Sequence, residues 1–370
     1  MDAIPEFIRT LASFVVVLGV LIFVHELGHY LAARWRGVHV ETFSIGFGRA
    51  IARWTDRRGT VWKLAWLPLG GYVKLHGQER PEDVSPEVRA GWLPGRTFHE
   101  KSVGSRAIVV AAGPIANFLL AAVLFALLFG TVGRPVSVPV VGEVVADGPA
   151  AVAGLRSGDR VEAINGVVVE RFEDIQHIVS ASPDQRLSLN VRRDGRGETI
   201  TVQTGGRDAG GGRRVGLLGI RGGQTEFARL GPIEAIGAGA VQTWDVTAQT
   251  LAGLGQMISG GRGTEDLGGP LRIAQLSGQV AQLGVASLIS FIAVLSVNLG
   301  LINLFPIPIL DGGHLVFYAV EAIRGRPLPP RTQEYGYRAG FALLAALFVF
   351  ATWNDLTHIG VFRWVAGLIG

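Results

Sequence analysis

A chain of 370 residues is long enough for two or three domains. Hydrophobic residues make up 48% of it and charged residues only 17%, so membrane-spanning segments are expected. The lack of cysteine excludes disulfides and cysteine-ligated metals, and the net charge of +4 is spread too thinly to predict a nucleic-acid partner.

Four segments are apolar over the about 20 residues that a helix needs to cross a bilayer. The first lacks a clear small-residue cleavage site and ends in a metal-binding pattern, so we predict a retained span and not a signal peptide. The predicted fold is a polytopic α-helical membrane protein with four transmembrane helices. The predicted spans are residues 7–33, 106–130, 284–305 and 337–360.

The end of the first span carries the pattern FVHELGHY at residues 23–30. His25 and His29 are four apart, so on a helix they share one face and can bind one metal ion. Glu26 stands beside the first histidine, where it can accept a proton from water, as in the HExxH pattern of zinc hydrolases. The apolar run before His25 covers about 20 Å, which puts this site inside the bilayer. The alternative, a surface helix with two solvated histidines, conflicts with these surroundings.

A β-rich segment follows, with VWKLAWL at 61–67 and a proline at 68 that suits an edge strand. We predict a membrane-associated β-hairpin on the cytoplasmic side, whose edge could pair with an extended peptide. The alternative is an ordinary interfacial hairpin anchored by Trp62 and Trp66. The residues expected to approach a bound backbone are Gly46, Gly48, Gly70, Gly71 and Tyr72.

The region between the second and third spans predicts a compact α+β module at 136–204. Alternating segments surround two hairpin turns, Asn165–Gly166 and Asp194–Gly195, and FEDIQHIVSAS indicates a short amphipathic helix. The Gly/Arg-rich stretch at 205–214 is predicted to be a linker. Residues 232–258 predict an amphipathic helix on the outer membrane surface, because a fifth crossing would invert the third span.

The third span ends in NLFPIPILDGG, residues 303–313. Pro306 and Pro308 must break the helix, and broken backbone at membrane depth is tolerated only beside protein or a watery cavity. Asp311 lies in this break. It is predicted to be the third metal ligand, and the alternative is a helix N-cap.

Basic residues set the predicted orientation by the positive-inside rule. Loops 34–105 and 312–336 are richer in arginine and lysine and are predicted to be cytoplasmic. Both termini and the module are then predicted to lie outside. The roles of two polar residues stay open: Asn117 either bonds a neighbouring helix or steadies the site, and His314 stands close to Asp311.

Five motifs together resemble the site-2 protease family of intramembrane zinc metalloproteases, and within it the bacterial sigma-E regulator protease branch. They are HELGH at 25–29, FSIGFG at 43–48, PLGGYVKL at 68–75, KSVGSRAIVVAAGPIANF at 101–118 and NLFPIPILDGG at 303–313. The module at 136–204 resembles a PDZ domain. The chain shows one such module where the best-known enterobacterial members have two.

The resemblance implies an intramembrane zinc endopeptidase in the bacterial cytoplasmic membrane. Its Zn²⁺ ligands would be His25, His29 and Asp311, with Glu26 as the catalytic acid/base and Asn303 binding substrate or the oxyanion. Its partners would be the lipid bilayer and the transmembrane helix of a single-span protein. That substrate would be an already trimmed anti-sigma factor or a leftover signal peptide. The alternative is a non-catalytic membrane scaffold with a PDZ domain and a structural zinc.

The predicted organisation has four parts. A membrane core with the HExxH motif and the hairpin is followed by the PDZ domain and linker, the amphipathic helical region, and a second membrane core. The PDZ domain is predicted to act as a size filter above the substrate's route, the alternative being a recruiter of peptide ends. The predicted boundaries are 1–130, 131–225, 226–283 and 284–370.

Overall fold

The computed structural model describes residues 3–79, 84–208, 214–260 and 268–359. These residues form two separately packed units, one made by the chain up to Leu128 together with the chain from Pro232, and the other by Phe129–Gly231. The first half of the first unit contains α1 (Ala3–Trp35), β1 (Val40–Thr55), β2 (Val61–Leu75), α2 (Pro86–Ala90) and α3 (Val103–Thr131).

Helix α1 ends shortly after the metal motif because a glycine closes it. Gly37 has a φ of +72°, and its N–H bonds the carbonyl of Arg34 while the N–H of Val38 bonds that of Ala33. This is the Schellman arrangement, in which a left-handed glycine satisfies the last helical carbonyls. The chain therefore turns directly from the histidine-bearing helix into β1.

Strands β1 and β2 pair antiparallel and fold over one another. Residues 42–45 of β1 have partners on both sides, Val61 to Leu64 and Lys74 to Gly71. The final part of β2 is thus paired on one side only and presents an edge. The sheet packs on α1 and α3 through an apolar cluster that includes Tyr30, Phe43, Phe98 and Val109.

The second unit contains ten strands and two short helices in its described residues. Its core lies between a four-stranded sheet, in the order β6–β5–β7–β8, and helix α5. These elements are β3 (Arg134–Ser137), β4 (Val141–Val144), α4 (Pro149–Val152), β5 (Arg160–Ile164), β6 (Val167–Val168), α5 (Phe172–Ser180), β7 (Arg186–Arg193), β8 (Arg196–Gln203), β9 (Gly205–Asp208), β10 (Arg214–Leu217), β11 (Ile220–Gly222) and β12 (Thr225–Ala228).

The turns of this unit follow the sequence prediction. Asn165–Gly166 joins β5 to β6 and Asp194–Gly195 joins β7 to β8, and all four residues have positive φ, as a two-residue type I′ hairpin requires. The predicted helix is α5, which buries Phe172, Ile175 and Val179.

The predicted linker at 205–214 is wrong, and the module does not end at 204. Strand β9 pairs with β10, β11 pairs with β4, and β12 pairs with β3. The Gly/Arg-rich stretch is therefore part of a hairpin, although residues 209–213 lie outside the described residues. Glycine is needed because a Cβ at Gly216 would overlap the carbonyl oxygen of Val179.

The second half of the first unit is helical. It contains α6 (Pro232–Ile258), α7 (Pro270–Gln282), α8 (Val285–Asn303), α9 (Asp311–Arg324) and α10 (Pro330–Ile359). Helices α1, α3, α8 and α10 are the four described helices that are long and apolar enough to cross a membrane, in agreement with the four predicted spans. The predicted end of the last span, residue 360, lies outside the described residues.

Helix α6 has the predicted limits but a different placement. A Cβ at Gly239 would contact the backbone of Ala126 in α3 at 2.8 Å, and Thr250 donates a hydrogen bond of 3.0 Å to Asn298 in α8. Both contacts lie within candidate spans, so α6 packs alongside them and not across their ends. Its small residues face the protein while Ile233 and Trp244 face away, a pattern that suits helix packing in lipid.

An aspartate at the end of α10 holds the start of α7. The carboxylate of Asp355, which is 2% exposed, accepts hydrogen bonds from the backbone N–H groups of Gly269, Leu271 and Arg272. These groups have no helical partner at a helix N-terminus. The last candidate span is thereby tied to the segment that leads into α8.

We predict that a buried ion pair makes the second unit sensitive to acid. Burial disfavours the charge of Asp159, but hydrogen bonds from Arg193 at 2.6 and 2.7 Å hold the pKa of Asp159 below its usual range. Since the unfolded pKa is about 3.9, the stabilisation is complete above that pH and is lost as the pH falls through the lower folded value.

Replacing Asp159 with Asn should lower the stability of this unit by roughly 1.5–3 kcal/mol at neutral pH. Hydrogen exchange of β5 and β7 in the full chain measures the change. Glu162→Gln, which removes an exposed ion pair with Arg192, is the control and should cost less than about 1 kcal/mol. Equal protection in wild type and Asp159→Asn would contradict the prediction.

Candidate metal centre

Three ligand atoms from two distant segments meet in the first unit. His25 and His29 lie one turn apart on α1, and their Nε2 atoms are 3.3 Å apart. Asp311, the first residue of α9, places its Oδ2 atom 3.2 Å from Nε2 of His25 and 3.5 Å from Nε2 of His29. The residues predicted from the sequence to share a metal are thus brought together.

These distances fit a tetrahedral ion. Nitrogen and oxygen ligands at about 2.0–2.2 Å from a tetrahedral zinc are about 3.3–3.5 Å from one another. The three side chains are between 12% and 17% exposed, and Asp311 Oδ2 is buried without a hydrogen bond. A buried carboxylate oxygen facing two imidazole nitrogens is poorly satisfied by protein alone, and a cation among the three atoms satisfies it. The donor set therefore fits Zn²⁺.

The break after α8 positions the carboxylate. Helix α8 ends at Asn303, and residues 304–310 form tight turns in which Ile309 has a φ of +103°. Gly312 and Gly313 then pack so closely that a Cβ at either would overlap the carbonyl oxygens of Leu304 and Ile307. The prolines end one helix, and the glycines let the next begin against the turn that carries it.

Helix α3 supports the two histidines from one side. Nδ1 of His29 lies 2.9 Å from the carbonyl oxygen of Val109, and Nδ1 of His25 lies 3.3 Å from the amide of Asn117. Gly113 stands between them, and a Cβ there would overlap the ring of His29. The helices approach this closely because Gly28 of α1 also lacks a Cβ, which would overlap the carbonyl oxygen of Ala112.

Glu26 lines the same cavity as the three ligands, a space of about 680 Å³. Gly71 of the β2 edge lies against it, since a Cβ there would approach Cγ of Glu26 to 3.0 Å. Tyr72 also lines the cavity. The unpaired edge of β2 and the carboxylate of Glu26 therefore face the same space as the metal ligands.

The other predicted contact residues are placed differently. Asn303 lines the cavity, but its amide donates to the carbonyl of Leu299 in its own helix. Gly70 packs against the ring of Phe47, and Gly46 against the carbonyl oxygens of Ala65 and Leu67. Gly48 lines a separate surface pocket. These three glycines shape the hairpin itself, whereas Gly71 and Tyr72 reach the cavity.

The cavity is also lined by an ion pair that the sequence pattern does not predict. Arg106 of α3 donates a short hydrogen bond of 2.6 Å to Glu321 of α9, and its guanidinium lies 5.0 Å from the ring centre of Tyr318. Burial raises the pKa of Tyr318 to about 12, so its hydroxyl stays protonated. This pair links the helix that carries Asp311 to the helix behind the histidines. His314 also lines the cavity, with Nδ1 3.5 Å from the Tyr337 hydroxyl.

Comparison with known proteins shows which family the chain belongs to. The model of peptidase family M50 matches residues 13–347, most of the chain. The chain belongs to peptidase family M50. The resemblance to site-2 proteases is therefore confirmed, and the chain is a zinc metalloendopeptidase of the site-2 protease type.

Named relatives span nearly the whole chain. A Rhizobium meliloti protein named as a candidate zinc metalloprotease is 44% identical and covers 95% of this chain and 97% of its own. Metalloprotease MmpA of Caulobacter vibrioides is 38% identical, covering 98% and 99%. Regulator of sigma-E protease RseP of Escherichia coli is 34% identical, covering 96% and 100%.

Among solved structures, the PDZ domain of an SdrC-like protein from Listeria monocytogenes is similar to part of the chain. It is 20% identical over 23% of this chain and 85% of its own, with a TM-score of 0.20.

We predict that removing the Asp311 carboxylate lowers metal content. The M50 chain, purified in detergent and dialysed at a fixed free zinc concentration, should hold one zinc, and Asp311→Asn should hold much less because one ligand is lost. Metal analysis measures this. Asp355→Asn, which alters a buried aspartate that bonds the start of α7 and does not line the cavity, is the control and should retain zinc. Full occupancy in Asp311→Asn would show that Asp311 is not a ligand.

Proposed function

We propose that this M50 chain is an intramembrane zinc endopeptidase that cleaves single-span membrane proteins within their transmembrane segment. One observation carries the proposal: two histidines and an aspartate from α1 and α9 converge beside Glu26 in a cavity, next to candidate spans. A structural zinc site would not need a glutamate and an open cavity beside it.

Each residue has a role that its position supports. His25, His29 and Asp311 hold Zn²⁺, which when bound acts as a Lewis acid on a peptide carbonyl and makes water more acidic. The Glu26 carboxylate accepts a proton from the attacking water and delivers it to the nitrogen of the leaving amine. Asn303 lies in the cavity lining, where its amide oxygen, which the hydrogen bond to Leu299 does not use, contacts the substrate backbone.

A transmembrane substrate must be unwound locally, because a helix hides its carbonyl groups in internal hydrogen bonds. The last part of β2 pairs with β1 on one side only. Its other side can therefore form backbone hydrogen bonds with an added strand. Gly71 and Tyr72 bring this edge to the cavity that contains Glu26. The edge therefore holds the unwound segment extended beside the reacting groups.

The substrate class is supported by the name of the Escherichia coli relative, a regulator of sigma-E protease. We propose a single-span anti-sigma factor, already trimmed outside the membrane, and leftover signal peptides as a second group. The enzyme lies in the bacterial cytoplasmic membrane. Basic residues after α1 and before α3 support a cytoplasmic position for the hairpin, with the second unit and both termini outside.

The second unit is proposed to be a PDZ domain that acts as a size filter. Its four-stranded sheet packed on α5 has the composition expected of such a domain. A folded outer domain on a substrate would collide with it, whereas a trimmed stub would pass. The helical unit and the β2 edge hold a substrate without it, so filtering and not recruitment is its main task.

We predict that Glu26→Gln abolishes cleavage of a membrane-anchored reporter while zinc content is retained. The amide keeps the size of the side chain but cannot accept the proton, and loss of a general base typically costs 10²–10⁴-fold. Glu6→Gln, on the exposed start of the same helix, is the control.

Mass spectrometry of the wild-type products should place the cut inside the reporter's transmembrane segment, in its cytoplasmic half. Equal cleavage by wild type and Glu26→Gln would contradict the peptidase proposal and favour a scaffold with structural zinc. A cut outside the apolar segment would contradict the intramembrane site.

We also predict that deleting the second unit broadens the substrate range. Since Arg134 pairs with Ala228, residues 134–228 can be replaced by a short Gly/Ser linker without separating the flanking segments. The deletion variant should cleave a substrate that keeps its bulky outer domain, which wild type spares, and should cleave a trimmed substrate equally well. Slower cleavage of the trimmed substrate, with no gain on the intact one, would instead identify a recruiter.

A further inference from the structure

We infer that Asn117 is a positioning residue for the metal centre, whose side-chain oxygen accepts a hydrogen bond from Nδ1–H of His25. This inference rests on the proposed zinc site and extends it to a residue on a third helix. It concerns how the ligand is held, because Asn117 acts only through His25.

The first observation is the position of the amide. Asn117 is fully buried, and its side-chain amide lies 3.3 Å from Nδ1 of His25. Nε2 of the same ring is the atom that faces Asp311 and His29. A histidine that binds a metal through Nε2 is neutral and carries its proton on Nδ1, which must be given to an acceptor.

The second observation is an unsatisfied atom. Nδ2 of Asn117 is the amide atom that faces His25, while its Oδ1 is buried without a hydrogen-bond partner. Turning the amide by 180° about its last bond exchanges the two atoms. Oδ1 then accepts from Nδ1–H of His25, so one rotation satisfies a buried oxygen and fixes the tautomer that binds metal through Nε2.

The third observation is symmetry between the two ligands. Nδ1 of His29 donates to the carbonyl oxygen of Val109 at 2.9 Å, eight residues before Asn117 on the same helix. Gly113, midway between them, lies against both rings, and a Cβ there would reach Cε1 of His25 at 2.9 Å. One face of α3 therefore orients both rings, with a backbone acceptor for one and a side-chain acceptor for the other.

The amide is itself held in place. Ser296 of α8, also fully buried, donates a hydrogen bond of 2.8 Å to the backbone carbonyl of Asn117. Gly300 packs beside it, since a Cβ there would lie 3.3 Å from Cβ of Asn117. These contacts use the backbone and Cβ of Asn117, so the amide remains available to His25.

The test measures zinc affinity of the purified full chain by competition with a chelator. Asn117→Leu keeps the size but removes the acceptor, and should weaken zinc binding by about 10–100-fold. Asn117→Asp keeps an acceptor and loses the donor, and should bind zinc nearly as wild type does. Ser277→Ala changes another fully buried hydroxyl, which donates to the carbonyl of Ile273 in its own helix α7, so it is the control and should leave affinity unaltered.

A cobalt-loaded sample adds a readout of ligand geometry. The visible absorption of Co²⁺ should be the same in wild type and Asn117→Asp and altered in Asn117→Leu. Wild-type zinc affinity in Asn117→Leu would overturn the inference, as would equal weakening in the Leu and Asp variants. If the Leu variant does not fold, the Asp variant decides: a large loss of affinity there contradicts an acceptor role. A wild-type chain without zinc would instead contradict the proposed function.

Discussion

Three electron-rich atoms held 3.2–3.5 Å apart, in side chains that are mostly buried, need a cation among them. This requirement explains much of the architecture around α1. Two ligands can come from neighbouring turns of one helix, but a third at the same depth must come from another segment. An unbroken α8 would use its backbone groups in its own hydrogen bonds. It would provide no second helix that begins beside the two histidines. The proline break and the two glycines of α9 therefore belong to the metal centre as much as the histidines do.

Helix α3 packs closely against α1 and orients its two histidines. It has no metal ligand, yet it approaches α1 through Gly28 and Gly113, where any larger residue would collide with backbone or ring. Close approach through small residues is the usual way in which helices pack in lipid, where apolar burial gives little advantage. The same stripe of α3 that allows the contact also presents acceptors to the rings. The Arg106–Glu321 pair then joins α3 to α9, so all three helices are fixed around one point.

The sequence predicts some features of this structure and misses others, and the reasons are physical. The spacing of His25 and His29 and the broken motif before Asp311 predict the ligands, because ionisable groups at membrane depth are costly without a role. The carbonyl of Val109 has no sequence signal, since every residue has one. Apolar periodicity predicts a helix over α6 but does not distinguish an apolar face that packs on protein from one that lies on lipid. The Gly/Arg-rich stretch predicts a linker because its residues lack the apolar alternation that indicates a strand, although β9 pairs there with β10, the next strand in the chain.

In the proposed centre, one zinc ion is bound jointly by α1 and α9. Zinc X-ray absorption fine structure of the zinc-loaded full chain, compared with its His29→Ala variant, tests it most directly. We expect a four-coordinate shell of nitrogen and oxygen at about 2.0–2.2 Å, with outer-shell scattering from two imidazoles that falls to one in the variant. A six-coordinate oxygen shell, or an imidazole signal that is unchanged in the variant, would contradict it.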